Sequence, residues 1–272
     1  MTASREVRPK ATGGKARLSG ARASSSRRLG GQTRGGRARR RPLAGLWRLV
    51  RRVLLVAVVC VVAAVWLLRV VDPPGSAYMA REAQRLGVID HTWVALDRIA
   101  PVVRRSIVAA EDANFCAHYG FDLNALRAAI DSGGARGAST ITQQTVKNLF
   151  LWHDRSYVRK LAEAALTPVV EATWTKARIL EVYLNIAEFG AGVFGIEAAA
   201  WHYFGVSASR LTAAQAARLA VVLPAPKTRD PRTLTASQGR RAAQVRDGAV
   251  VIARDGRAAC LSYGTAGPKN GV

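Results

Sequence analysis

The first long pattern is an uncharged apolar run of 16 residues, 53–68, flanked by Arg48, Arg51 and Arg52 before it and by Arg69 after it. Val70 and Val71 continue it, and Asp72-Pro73-Pro74-Gly75 ends it. Sixteen residues fall slightly short of the ~20 that cross a bilayer core. Arg69 can snorkel to the interface, so the reading is an anchor over 48–71. Beyond it, Ala, Leu and Arg recur at helical spacing and strand-like alternation is nearly absent. The expectation is a mainly α domain over 72–262.

Punctuation residues set the helix limits. Pro101 opens a helix running to Glu111, and Asp122 caps residues 123–130. Residues 132–137 form a Gly-rich connection. Thr140 and Gln143 form a capping box for the next helix. A longer helix starts at Asp154 or Arg155 and reaches Thr173, with a kink at Pro168. Thr175 caps residues 176–185, and Gly190, Gly192 and Gly195 mark a loop. Thr212 and Gln215 form a second box before residues 213–223, and Pro224 stops that helix. Residues 238–261 suit one helix weakened by Gly248 and Gly256. Residues 263–272 read as a flexible tail.

Charge changes the picture at the N-terminus. Of the net +23, residues 1–52 carry +15, from 16 Lys and Arg against one acid, Glu6. Residues 1–47 hold almost no large apolar side chain before Leu43 and are expected to be a disordered basic tail. Nucleic-acid binding is one reading of it. The membrane run after it favours a topology signal instead, with the N-terminus cytoplasmic and the main domain outside. No nucleic-acid partner is expected. A long basic region before the run and no Ala-x-Ala site just after it favour a retained anchor over a cleaved signal. The cysteines, Cys60, Cys116 and Cys260, show no metal-ligand spacing, and no structural disulfide is expected.

Three clusters could carry chemistry. Glu111 and Asp112 sit at a helix-to-loop junction with Phe115, His118 and Gly120 close behind. Alone, Glu111 reads as a helix-end acid; a catalytic base would need its pKa raised by burial. In Ser139-Thr140-Ile141-Thr142-Gln143-Gln144-Thr145-Val146-Lys147-Asn148, Gln143, Gln144 and Lys147 share one helix side and Asn148 lies four after Gln144. That side offers amides to sugars and a cation to phosphate at a helix N-terminus. Arg155, Arg159 and Glu163 step by four, and Lys160 stands three before Glu163. They form either a surface ion-pair ladder or a clamp for phosphate. Residues 149–152, Leu-Phe-Leu-Trp, suit either core or membrane interface.

Four ordered blocks resemble the bacterial peptidoglycan glycosyltransferases. They are Glu111-Asp112-x-x-Phe115-x-x-His118-x-Gly120, then Gly137-x-Ser139-Thr140-Ile141-Thr142-Gln143-Gln144-x-x-Lys147-Asn148, then Arg159-Lys160-x-x-Glu163, and Ile179-Leu180-Glu181-x-Tyr183-Leu184-Asn185. The likeness runs from about Asp72 to Pro226 and fades after it. Residues 150–152 and 185–190 resemble the monofunctional members. Ala138 replaces a common Gly, and Gln215 stands where an acid is frequent.

The resemblance implies a lysozyme-like helical domain behind one transmembrane helix, in the bacterial inner membrane with its catalytic domain on the periplasmic face. It implies polymerisation of lipid II onto a lipid-linked growing glycan, in cell-wall synthesis. Glu111 would be the general base and Glu163 a second acid. Lys147 and Arg155 would offset pyrophosphate charge. Arg159, Lys160, Ser139, Thr140, Gln143, Gln144, Asn148, Asp112 and His118 join the substrate site, with Asp112 and His118 supporting the loop. Glu181 and Asn185 read as mainly structural. A divalent cation, Mg or Mn, beside Glu163 is left open, as are division or elongation proteins as partners. No Ser-x-x-Lys or Lys-Thr-Gly comes after the region, so no transpeptidase is expected. A lytic lysozyme-like hydrolase and an inactive scaffold are the alternatives.

Overall fold

The computed structural model describes residues 41–133, 137, 139–154 and 156–261. Residues 1–40 of the expected basic tail, the C-terminal tail, residues 134–136 of the 132–137 connection and Arg155 lie outside them. The chain divides into residues 1–51 and a second unit beginning at Arg52. The described part of the first unit is the start of the opening helix, and the helical domain belongs to the second.

The elements run α1 (Arg41–Leu68), α2 (Ala77–Leu86), β1 (Asp90–His91), α3 (Pro101–Glu111), α4 (Leu123–Asp131), α5 (Ile141–Phe150), α6 (Tyr157–Thr173), α7 (Lys176–Ile186), β2 (Glu188–Gly190), β3 (Val193–Phe194), α8 (Ile196–Phe204), α9 (Ala213–Val222) and α10 (Ala236–Arg254). The short strands form one sheet, with β3 parallel to β1 and antiparallel to β2. The architecture is mainly α, as the periodicity indicates.

The caps explain most boundaries. Pro101 occupies the first turn of α3, and Asp122 accepts the Ala125 N–H at the head of α4. Thr140–Gln143 and Thr212–Gln215 both form capping boxes, satisfying two otherwise orphaned donors each. α6 starts later than the pattern implies, because Ser156 takes the cap and accepts the Arg159 N–H. Pro168 lies inside α6. Within α1, residues Gly45–Leu68 are long and apolar enough to cross a membrane, with mean hydropathy 2.4. The helix stops at Leu68, three residues before the expected anchor end, and Arg69 lies 4.6 Å over the Trp66 ring.

α7 is the central helix, buried from Ala177 through Ile186. Ile179, Leu180, Tyr183 and Leu184 are core, as their spacing requires. A polar stripe, Arg178, Glu181 and Asn185, runs through that core and is paired throughout. Arg178 donates to Asp72, to Glu181, and to the Leu68 and Val71 carbonyls at the anchor exit. Glu181 accepts the Leu96 N–H, and Asn185 exchanges two bonds with the Val94 backbone. These bonds give Glu181 and Asn185 structural roles. Trp174 Nε1 donates to the Val65 carbonyl at 2.7 Å, fastening the last turn of α1 to the domain.

Two expectations are corrected. Cys116 and Cys260, 144 residues apart in sequence, form a disulfide. Linear spacing hides it: the 3₁₀ turn Phe115–Ala117 and the turn Ala259–Leu261 meet only after α10 has crossed the domain. Cys60 is free. The region after Pro226 is also better ordered than its Gly content suggests. Thr235 and Gln238 form a third capping box, and α10 packs on α3 and α9 through Ala242, Val245, Ala249 and Ile252. Gly248 faces α3 there: a Cβ at that position would sit 3.4 Å from Ala109 Cβ, close to an ordinary contact. The segment 149–152 is split, with Leu149 and Leu151 buried and Trp152 exposed.

Candidate active site

Glu111 is the last residue of α3, where the chain turns at Asp112. Asp112 is buried and works as a clasp. Its Oδ2 accepts the Ile141 N–H at the head of α5, and its Oδ1 lies 2.8 Å from His118 Nε2. Thr140 caps α5 and donates its hydroxyl to the Gly120 carbonyl. Lys176 closes the loop from below, on the His118 carbonyl and on Glu171. Gly120 has φ +82°, and a Cβ there would fall 2.5 Å from Thr167 Cγ2. The first two sequence blocks are thereby locked together, which fixes where Glu111 points.

α5 then presents Gln144 and Lys147 to a cavity of about 850 Å³, with Glu111, Ser139, Arg241 and Pro224 also on its walls. Gln144 Nε2 donates to Glu111 Oε2 at 2.8 Å, while Gln144 Oε1 accepts from the buried Tyr183 hydroxyl at 3.2 Å. Burial raises the Glu111 pKa, and Asp112 adds to that; the Gln144 bond and the cations Arg241 and Lys147 pull the other way. Burial lowers the Lys147 pKa, with Arg159 and Lys160 assisting and Glu163 and Glu111 opposing. A basic carboxylate and a partly desolvated ammonium therefore share one cleft.

Beyond Gln144 and Lys147 the cleft continues into a second cavity of about 350 Å³, which Asn148 also lines. Glu163 faces neither cavity: it is 3% exposed and holds Arg159 and Lys160, both at 2.5 Å. Each of its carboxylate oxygens is paired with a cation, so a divalent ion there would sit against the Arg159 and Lys160 charges. Asp112, His118 and Asp122 bring ligand atoms within 4.8 Å of one another. Those acids are already engaged by Ile141 N and His118, and by Ala125 N and Asn114.

The structure thus gathers Glu111, Ser139, Gln144, Lys147 and Asn148 along the cleft. It places Asp112, His118, Thr140 and Gln143 in the scaffold beneath. Gln143 is buried, with its side chain on the Thr140 N–H, and so does not share the open side with Gln144. Sequence reasoning missed Arg241, which lies past the last recognised block, and Tyr183, whose core spacing concealed its hydroxyl. It also gave no role to Tyr78, His153, Glu188 and Lys227, which line the second cavity.

A carboxylate made more basic by burial and a partly desolvated cation thus line one polar cleft. The family model described as "Transglycosylase" matches residues 80–250, extending the likeness well past Pro226 into α10. The chain is 58% identical over 200 residues to the biosynthetic peptidoglycan transglycosylase of Jannaschia sp. (strain CCS1), covering 73% of this chain and 84% of that one. It is 48% identical over 222 residues to the protein of that name from Rhodospirillum centenum, covering 79% and 96%. The Caulobacter vibrioides protein of that name is 45% identical over 226 residues, covering 79% and 97%. The chain belongs to the transglycosylase family. It is a glycosyltransferase, with the lysozyme-like helical domain the family implies.

Proposed function

We propose that this chain polymerises peptidoglycan glycan from lipid II, and that Glu111 is the base. The observation that carries the reading is Glu111 itself, raised by burial, aimed by Gln144 and facing the same cavity as Lys147. Glu111 takes the proton of the acceptor GlcNAc 4-hydroxyl. The freed oxygen attacks C1 of the donor MurNAc, and the bond from C1 to the phosphate oxygen breaks in line. The polyprenyl pyrophosphate leaves with the bonding electrons, and the α-linked donor becomes a β-1,4 linkage. Lys147 and Arg155 meet the leaving charge, and Arg159 and Lys160, held by Glu163, add positive potential beside them.

A membrane placement suits substrates with lipid tails. The apolar helix Gly45–Leu68 supports an anchor. Leu123, Leu126 and Ile130 on α4, and Tyr157 and Leu161 on α6, leave large apolar surface exposed, as an interface with lipid requires. Arg48, Arg51 and Arg52 support a cytoplasmic N-terminus. The Cys116–Cys260 disulfide supports an oxidising, periplasmic setting for the domain. The proposed activity is polymerisation alone, without a transpeptidase step.

The test is incubation of detergent-purified protein with fluorescent lipid II and then lysozyme digestion, alongside incubation with finished glycan. Lysozyme-sensitive polymer with finished glycan left intact supports the reading. Cleavage of finished glycan without polymer would establish the lytic alternative instead.

A further inference from the structure

The second cavity has a polar wall that the proposed reaction does not use. Glu188, buried on β2, is held from three directions. The Tyr78 hydroxyl donates to its Oε2 at 2.6 Å, Gly192 N–H donates to its Oε1 at 3.3 Å, and Lys227 Nζ stands 3.8 Å from that Oε1. Lys227 also pairs with Glu82 at 2.9 Å, and Arg85 with Glu82 at 2.6 Å. The Tyr78 ring stacks on His153 at 3.7 Å, and His153 Nε2 lies 3.1 Å from Asn148 Oδ1. The carboxylate is fixed in place before any ligand arrives.

The charge balance indicates what the lobe takes. Glu82 and Glu188 are matched by Arg85 and Lys227. Desolvation and the nearby cations hold the His153 pKa down to about 4, so its ring is neutral. The stretch around Lys147, by contrast, has three cations, Lys147, Arg159 and Lys160, against two acids, Glu163 and a Glu111 whose pKa burial raises. A phosphate therefore belongs beside Lys147, and a further phosphate deeper in the lobe would meet the Glu188 carboxylate, with Lys227 already paired to Glu82. A carboxylate has about four lone-pair positions, more than Tyr78 and Gly192 occupy. At about 350 Å³ the lobe is large enough for part of a neutral, hydroxyl-rich ligand.

We propose that Glu188 is a further substrate-contacting residue, accepting a hydroxyl or N-acetyl amide hydrogen from the neutral N-acetylated sugar beyond the phosphate clamp, and that Tyr78 positions it. The inference rests on the reading of Lys147 as the phosphate contact. It makes α2, the first helix after the anchor, a wall of the glycan groove, because α2 carries both Tyr78 and Glu82. Loss of this grip releases the growing strand earlier.

The experiment measures binding in a Glu111→Gln background, where turnover does not interfere. One probe is a fluorescent lipid-linked tetrasaccharide of alternating N-acetylated sugars; the other is polyprenyl pyrophosphate without sugar. Adding Glu188→Gln is expected to weaken the tetrasaccharide roughly tenfold, the size of a hydrogen bond to a charged group, with the sugar-free probe unchanged. Tyr78→Phe is expected to give a smaller loss of the same selectivity, and Glu188→Gln alone to raise KM and shorten the strands. Tetrasaccharide affinity within twofold of the parent in both folded variants overturns the proposal, as does equal weakening of both probes. Polymerisation by wild type with no Glu188 effect would sink this inference alone. Glu188-dependent sugar binding without polymerisation would sink only the polymerase reading.

Discussion

Gln144 donates to Glu111 at 2.8 Å while Tyr183 donates to Gln144 at 3.2 Å. The amide is thus pinned at both ends, and its N–H must face the carboxylate. That bond favours ionised Glu111 and opposes the desolvation that raises its pKa. Gln144→Leu removes the opposing bond, so the Glu111 pKa rises further. The acidic limb of the kcat/KM profile is expected to move to higher pH. A limb that stays in place, or moves down, contradicts the role given to Gln144. Tyr183→Phe frees the amide to flip and is expected to cost roughly fivefold in kcat, about 1 kcal/mol, with little change in KM.

The raised carboxyl also has a stability consequence. As pH rises, the unfolded chain gives up this proton first, so it binds fewer protons than the native state between the two pKa values. Stability therefore falls with pH from the ordinary carboxylate range up to the folded pKa, and the loss persists above it. Glu111→Gln removes the buried charge and is expected to raise Tm at neutral pH, by about 2–4 °C for each kcal/mol recovered. Near pH 4, where native Glu111 is protonated, the two proteins should melt together. A lower Tm for the variant at neutral pH would show that ionised Glu111 stabilises the fold.

The Cys116–Cys260 bond closes a loop of 144 residues in sequence separation. Cys260→Ser is expected to lower stability by about 2–4 kcal/mol, read as a fall in Tm under oxidising conditions. The loss should match that of wild type treated with a dithiol reductant. Cys60→Ser, on the anchor helix, should leave Tm unchanged and serves as the control. An unchanged Tm for Cys260→Ser would mean that the bond does not brace the domain.

A side chain at Gly120 would meet two obstacles, a positive φ and a Cβ only 2.5 Å from Thr167 Cγ2. Gly120→Ala is expected to destabilise by more than about 1 kcal/mol, because the left-handed backbone and the clash act together. Adding Thr167→Ser removes the contacting methyl and should restore part of the loss, leaving the backbone cost. No rescue by the second change would assign the effect to φ and to the 3.1 Å approach of Glu171 Cγ instead of the Thr167 methyl.

Local chemistry was the most legible part of this chain. Pro101, Asp122, Thr140, Thr175 and Thr212 each announce a helix start because capping depends on the next three residues alone. Gln144 and Lys147 were legible as one helix side by their spacing, whereas Glu111 alone read as a helix-end acid and took its role from the resemblance of its block. Arg241, Glu188 and Cys260 were not, since each acquires its neighbours only through tertiary contact: Arg241 Nη2 reaches the Ala110 carbonyl, 131 residues away. Gln143 shows the opposite failure. Helical spacing put it beside Gln144, but a capping box turns its amide back onto Thr140. Gly248 reads as a helix weakness and serves as the contact surface of α10 against α3.

The central claim is that Glu111 removes the acceptor proton. The most direct measurement is the initial rate of fluorescent lipid II polymerisation by wild type and by Glu111→Gln, at equal amounts of folded protein. A lost general base costs about 10²–10⁴-fold, and a fall in that range, with binding of polyprenyl pyrophosphate retained, is expected. A Glu111→Gln rate within tenfold of wild type would contradict the assignment and send the search for the base to another side chain of the cleft.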